Sequence, residues 1–404
     1  MRPTVAFIGG LRRSLPASSG ESLDQAIRKI VNAKQRGGRV VVVTGSGPNV
    51  HEGVTTLIAE MIHKKLVDGV ITSSAVIAHE MAGTLDRVKR IEMSAHDSLP
   101  IEYELLPRGS VFELTMLTAE DRAALEVEMP GGWDLYDRLM ARDGNIVIKA
   151  AGNMAWPMGL RTERLAVEIR EGSDCFERAA GRAADPMTMI GAGAARGVPV
   201  LVSIPQLVGG GAVGYAVGDS ITIERRSRLI ADLLAGADVI VESAVALTQE
   251  IHDGPFETYT GHGIWAAWEG QPTYSLKDKT LVRIDLDTNL ERAWRLERES
   301  ADIQTAVNQG LPKTKRTGIP FRMEMSGFAR LEGSIPVTAD IGAVWPILAQ
   351  GVSEALGVEL EFISAPQESE PGKEMREWIA SHVAFLDRGK IAEARLTGQH
   401  ADTR

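Results

Sequence analysis

The residues with the most chemistry in them stand where short apolar runs end. VVVVTGSGPNVHEG, from Val40 to Gly53, is an apolar run that breaks into Gly45 and Gly47 before a helical stretch opens. Glycines at such a turn let the backbone approach a pyrophosphate, and the helix start behind them offers free N–H groups and a favourable dipole. The pattern departs from G-x-G-x-x-G at its third place, where Val50 stands, and a plain strand-to-helix turn is the alternative. A second cluster, LVGGGAVG at Leu207 to Gly214, also follows an apolar run. Glycines 209 to 211, Gly210 at their centre, imply positive φ angles or something pressed close to the backbone, with a flexible turn as the bland option. Two glycine turns at strand ends together favour a bound nucleotide.

Titratable groups concentrate after a third run. ESAVALTQEIHDGPFETYTGHGIW, Glu242 to Trp265, holds Glu242, Glu250, His252, Asp253, Glu257, Tyr259 and His262. Acid–base catalysis gathers such groups, and the Gly-Pro and Thr-Gly breaks make the segment a loop. His252 and His262 are the catalytic candidates in it. Trp265 and Trp268 suit a pocket wall or core packing. His252, Asp253 and His262 match no strong metal-ligand spacing, so no metal is expected.

The elements that would position these groups alternate. Strands are expected at Thr4 to Ile8, Arg39 to Thr44, Asp68 to Thr72, Asn145 to Lys149, Val198 to Ser203 and Ala237 to Val241. Helices fall between them, at Ser22 to Gln35 with Ser22 as cap, at Glu52 to Lys65 and at about Ile223 to Leu234. After Gly318 come strands at Ile319 to Met325 and Ile335 to Ala339, then a helix from about Gly342 to Leu356. Such spacing demands crossovers and a mostly parallel sheet with helices on both faces. The fold class is therefore α/β, Rossmann-like, expected as one large domain over residues 1–404 with insertions near 94–132 and 289–318.

Bulk properties agree with an enzyme of that class. The chain has 404 residues, of which 44% are hydrophobic and 24% charged, which is enough for a full core. Its net charge of -10 argues against nucleic-acid or anionic-membrane partners. The single cysteine, Cys175, fits a reducing compartment, and no apolar run is long enough to span a bilayer. A cytoplasmic location is expected.

Three separated blocks, in order, carry a resemblance. They are EGVTTLIAEMIHKKLVDGVITSSAVIAHEM from Glu52, ADPMTMIGAGAARGVPVLVSIPQL from Ala184, and GSIPVTADIGAVWPILAQ from Gly333. The chain resembles the deoxyhypusine synthase family, a Rossmann-like NAD-binding fold. The resemblance implies NAD as cofactor, held by Ser46 to Val50 (Asn49 among them), by Thr72, Ser73 and Ser74, and by Asp340 at a ribose hydroxyl. A helix cap is the other reading of Asp340. It also implies a homo-oligomer, a dimer or tetramer.

Departures from that family change the expected activity. The family's imine-forming lysine has no counterpart in SGFARLEG, where Phe328 falls nearest, and Gly209 and Gly214 replace its acidic polyamine-binding residues. Lys277 and Lys279 are the candidate replacements, or simply part of a solvated turn. His79-Glu80 stands where the family has two glutamates, and there the chain is similar to the ornithine-cyclodeaminase-like LOR/SDH branch. His79 beside a nicotinamide would serve as a base, with Glu80 as its catalytic neighbour; a buried structural histidine is the alternative. The expected function is an NAD-dependent enzyme, a transferase, lyase or oxidoreductase, acting on a small amine, amino acid or hydroxy compound by transient or net hydride transfer. A non-catalytic nucleotide-binding sensor or scaffold is the alternative.

Overall fold

The computed structural model describes residues 1–94, 102, 104, 106, 110–152, 155–170, 175–204, 206–243, 276, 278–284, 288–309, 311, 313–319 and 333–398. Nine strands lie among them: β1 (Val40–Thr44), β2 (Gly69–Thr72), β3 (Leu85–Glu92), β4 (Val111–Thr115), β5 (Asn145–Ala150), β6 (Val200–Val202), β7 (Val239–Ser243), β8 (Thr280–Ile284) and β9 (Ser334–Val337). Six of them form a parallel sheet in the order β6-β2-β1-β7-β8-β9. Numbered by their own succession along the chain, they run 3-2-1-4-5-6. That is the Rossmann order, with its reversal point between β1 and β7.

The strands are continuous apolar runs because both faces are covered. Val40, Val42, Val70, Val239 and Val241 enter the larger core, beneath the helices Ala17–Gln35, Val54–His63 and Ile341–Leu356. Val41, Val43, Ile71, Ile240 and Leu281 alternate to the other face, against Ile230, Leu233 and Leu234 of the Ile223–Ala235 helix.

Edge strand β6 is secured by a buried ion pair. Glu177, on the Phe176–Ala183 helix, accepts the Val202 N–H at 2.8 Å and bonds Arg226 of the Ile223–Ala235 helix. Arg226 also donates to the Val217 carbonyl at 2.9 Å and the Val202 carbonyl at 3.2 Å. Both side chains are completely buried.

Several sequence expectations are corrected. Residues 4–8 are not a strand: Thr4 caps a helix, Val5–Ser14, through the Phe7 N–H. There Phe7, Ile8 and Leu11 repeat at helical spacing and pack on the larger core, which outweighs the local β preference. The next helix starts at Ala17, five residues before the expected cap at Ser22. Residues 145–149 are extended, yet β5 belongs to a separate antiparallel sheet, β4-β3-β5. The insertion is therefore larger than expected. Its own core of Ile91, Leu114, Tyr136 and Leu139 is walled by Trp133 and Trp156, whose rings lie 5.6 and 6.1 Å from that of Tyr136. β8, which had no sequence-based assignment, completes the parallel sheet between β7 and β9. Nearly all of the strand expected at 319–325 lies outside the described residues. Among the described residues, no helix is long and apolar enough to cross a membrane.

Candidate active site at the strand ends

In an open sheet of this order, a ligand lies across the carboxyl ends of the strands at the reversal point. Here that point is the crevice between Thr44-Gly45 and the end of β7 at Ser243. The two sides are tied together by a fully buried Asn49. Its amide donates to the Gly45 carbonyl at 2.8 Å and reaches the Ser243 carbonyl at 3.4 Å. Its oxygen accepts the Ser243 hydroxyl at 2.5 Å, and the Trp345 indole N–H donates to that hydroxyl at 2.8 Å. Both polar atoms of the Asn49 side chain are used internally. It is a clamp holding the crevice walls, in place of the direct cofactor contact expected from the sequence.

Other residues expected at the cofactor also serve the frame. Ser73 caps the Ser74–Met81 helix through the Val76 N–H. The Ser74 hydroxyl donates across the carbonyls of Leu207 and Gln206, 2.5 and 2.8 Å away, and accepts the Gly210 N–H at 2.9 Å. The second glycine cluster thus lies against the start of that helix. A Cβ on Gly210 would sit 2.6 Å from the Ser74 carbonyl carbon, and one on Gly214 would sit 1.8 Å from the Leu207 oxygen. What presses on these glycines is the protein's own backbone. Asp340 caps the Ile341–Leu356 helix by accepting the Gly342 N–H at 2.9 Å.

Glu80 is likewise engaged by backbone groups. Its two oxygens accept the Met189 and Ile190 N–H groups at 2.8 and 3.1 Å, at the start of the Met189–Arg196 helix. Burial raises its pKa to about 7, and those two bonds pull it down. That geometry makes it an anchor for the start of that helix.

His79, on the same helix, keeps a free functional atom. Its Nδ1 lies 2.7 Å from the Ala151 carbonyl, so the neutral ring donates there and carries its lone pair on Nε2. Burial holds its pKa below the ordinary 6.5. His51, absent from the sequence-based candidates, stands next to it and accepts the Ala150 N–H on Nε2 at 3.0 Å. Burial first, and then the charges of Arg376, His79 and Lys149, depress His51 to about 4. Two neutral imidazoles therefore hold the end of β5 beside the parallel sheet.

What remains open to a ligand is smaller than the sequence suggested. A Cβ on Gly47 would meet nothing within 4 Å. The hydroxyls of Thr44 and Thr72 are buried without a hydrogen-bond partner. They continue the pleat positions of Val42 and Val70 and so share one face at the ends of β1 and β2. Thr44 was not among the sequence-based site residues, although it closes VVVVT. His252, His262 and Lys277 lie outside the described residues. Among the described residues, no group of three or more His, Cys, Asp or Glu could hold a metal.

No protein-family model matches the chain, and no curated protein sequence matches it either. Similar solved structures include AgrE in ternary complex with ornithine and NAD+, with a TM-score of 0.41 and 12% identity, covering 85% of this chain and 34% of that one. Another is apo ArgZ, an arginine dihydrolase from the ornithine-ammonia cycle in Cyanobacteria, with a TM-score of 0.39 and 11% identity, covering 83% and 33%. A third is a conserved putative LOR/SDH protein from Methanococcus maripaludis S2, with a TM-score of 0.38 and 10% identity, covering 88% and 71%. This chain thus spans about a third of the length of AgrE and ArgZ.

Proposed function

We propose that the chain is an NAD-dependent enzyme acting on a small amine, amino acid or hydroxy compound by transient or net hydride transfer. The observation that carries this reading is the 3-2-1-4-5-6 strand order with a glycine turn at its reversal point. The residues present fit a dinucleotide there. Gly47 leaves open space at the turn, and the unpartnered Thr44 and Thr72 hydroxyls supply donors to a ribose or phosphate oxygen. The absence of a carboxylate at the end of β2 leaves ribose recognition to those hydroxyls. When bound, a nicotinamide ring accepts hydride from a carbon that bears nitrogen or oxygen. The protein's part is to take the proton that leaves that nitrogen or oxygen, and the Nε2 lone pair of His79 suits that task.

Calorimetric titration of cofactor-stripped protein with NAD, NADH and NADP tests the reading. Micromolar affinity for NAD is expected; no binding of any of the three would remove the dinucleotide from this site. His79 is tested by His79→Asn, whose amide keeps the donor to Ala151 and removes the base. With a substrate found by screening NAD reduction, turnover is expected to fall by roughly 10²- to 10⁴-fold at unchanged NAD affinity. In the wild type the base form is the active one. Because the folded pKa is lowered, the rate is expected to hold as pH falls through 6.5 and to drop only further down. Unchanged turnover in His79→Asn would leave His79 a packing residue.

A further inference from the structure

Beside edge strand β6 the fold leaves a cavity of about 390 Å³, within the size range of small-ligand pockets. It lies between that strand and the helices Phe176–Ala183 and Met189–Arg196, and it reaches the strand's start through Val198 and Pro199. The candidate crevice stands at the carboxyl ends of the strands, so this is a separate place in the fold. Cys175, Ile190, Val200 and Leu201 give the cavity a buried, largely apolar floor. Its rim carries Arg178 and Arg182, both exposed and one helical turn apart on the same face.

Among the described residues, neither arginine has an ion-pair partner. The acid in the lining, Glu177, is already bonded to Arg226, to the Val202 N–H and, at 3.5 Å, to the Cys175 thiol. The charge that the cavity shows a ligand is therefore positive. The strand adds a donor. Pro199 and Leu201 turn their backbone groups to β2, since the Val70 N–H donates to the Pro199 carbonyl and the Ser203 N–H to the Thr72 carbonyl. The Val200 N–H thus points the other way, to the open edge along the cavity. A further strand cannot add at this edge, because Glu177 and Arg226 take the Val202 N–H and C=O. The space suits a small molecule.

We propose that this cavity binds a small aliphatic carboxylate. Its acid group lies at the two guanidinium groups, and its hydrocarbon body lies against Ile190, Val200 and Leu201. An arginine fork matches a carboxylate with two parallel hydrogen bonds. An alkylamine would set its charge against two of the same sign, and an alcohol would leave both guanidinium groups without a counter-charge. The proposal is independent of the NAD reading of the crevice.

Calorimetric titration of the full chain with straight-chain carboxylates from butanoate to octanoate tests it. The amine, alcohol and phosphate monoester of the best chain length serve as comparisons. At least one carboxylate is expected to bind with a Kd below about 1 mM, and each comparison at least about ten times more weakly. Arg178→Gln and Arg182→Gln are each expected to weaken that carboxylate about tenfold. Both side chains are exposed, so the urea midpoint of each variant should stay at the wild-type value. Arg196→Gln removes the same charge from the neighbouring helix, outside the cavity lining, and should leave the affinity within about twofold. Three results would overturn the assignment: no carboxylate binds, a comparison binds as tightly, or the Arg178 and Arg182 variants lose no more than Arg196→Gln.

Discussion

Arg226→Met is expected to destabilise the protein by about 3–5 kcal/mol, the cost of leaving a buried carboxylate without its counter-charge. Methionine fills much of the arginine volume, so the loss is electrostatic and not a cavity effect. Glu177 would keep the Val202 N–H and the weak Cys175 thiol donor, neither of them charged, and the carbonyls of Val202 and Val217 would each lose a donor. The edge strand and two helices depend on this one cluster, so the effect should appear as a lower urea midpoint without loss of cooperativity. Adding Glu177→Gln removes the stranded charge while leaving an oxygen for Val202. The double variant should therefore recover a large part of the loss. A single variant within about 1 kcal/mol of wild type would show that the pair contributes little beyond its volume.

Asn49→Ala is expected to cost about 2–4 kcal/mol, from orphaned buried groups and a small cavity. The Gly45 carbonyl loses its partner, and the Ser243 hydroxyl loses its acceptor while still receiving the Trp345 N–H. This clamp joins the ends of β1 and β7, so its loss also frees the walls of the crevice. NAD affinity of the folded variant should fall at least about tenfold, because the turn must then be ordered on binding. Chemical denaturation gives the first number and calorimetry the second. A destabilised variant with wild-type NAD affinity would show that the clamp supports the fold and not the ligand.

Of the candidate site, the glycine turns were legible and their reasons were only half so. Gly45 and Gly47 stand at the reversal point as read from VVVVTGSG, and Gly47 faces open space. Gly210 reads identically in sequence, yet its small size answers to the Ser74 backbone. A glycine records that something comes close, and the chain alone does not say whether that is a ligand or another part of itself. Glu80 is similar: a carboxylate beside a histidine reads as catalytic until the Met189 helix arrives at its two oxygens.

By itself the sequence determined the α/β class, the alternation of β1, β2, β6 and β7 with helices, and the Ile341–Leu356 helix. These follow from local apolar periodicity, which acts over a few residues. The tertiary structure alone decided that β5 leaves the parallel sheet, that residues 4–8 coil into a helix, and that β8 joins β7. Only there do Asn49 and Ser243, 194 positions apart, meet at one crevice. Each of those outcomes turns on burial against segments distant in the chain, and a short stretch of residues carries no record of its partners.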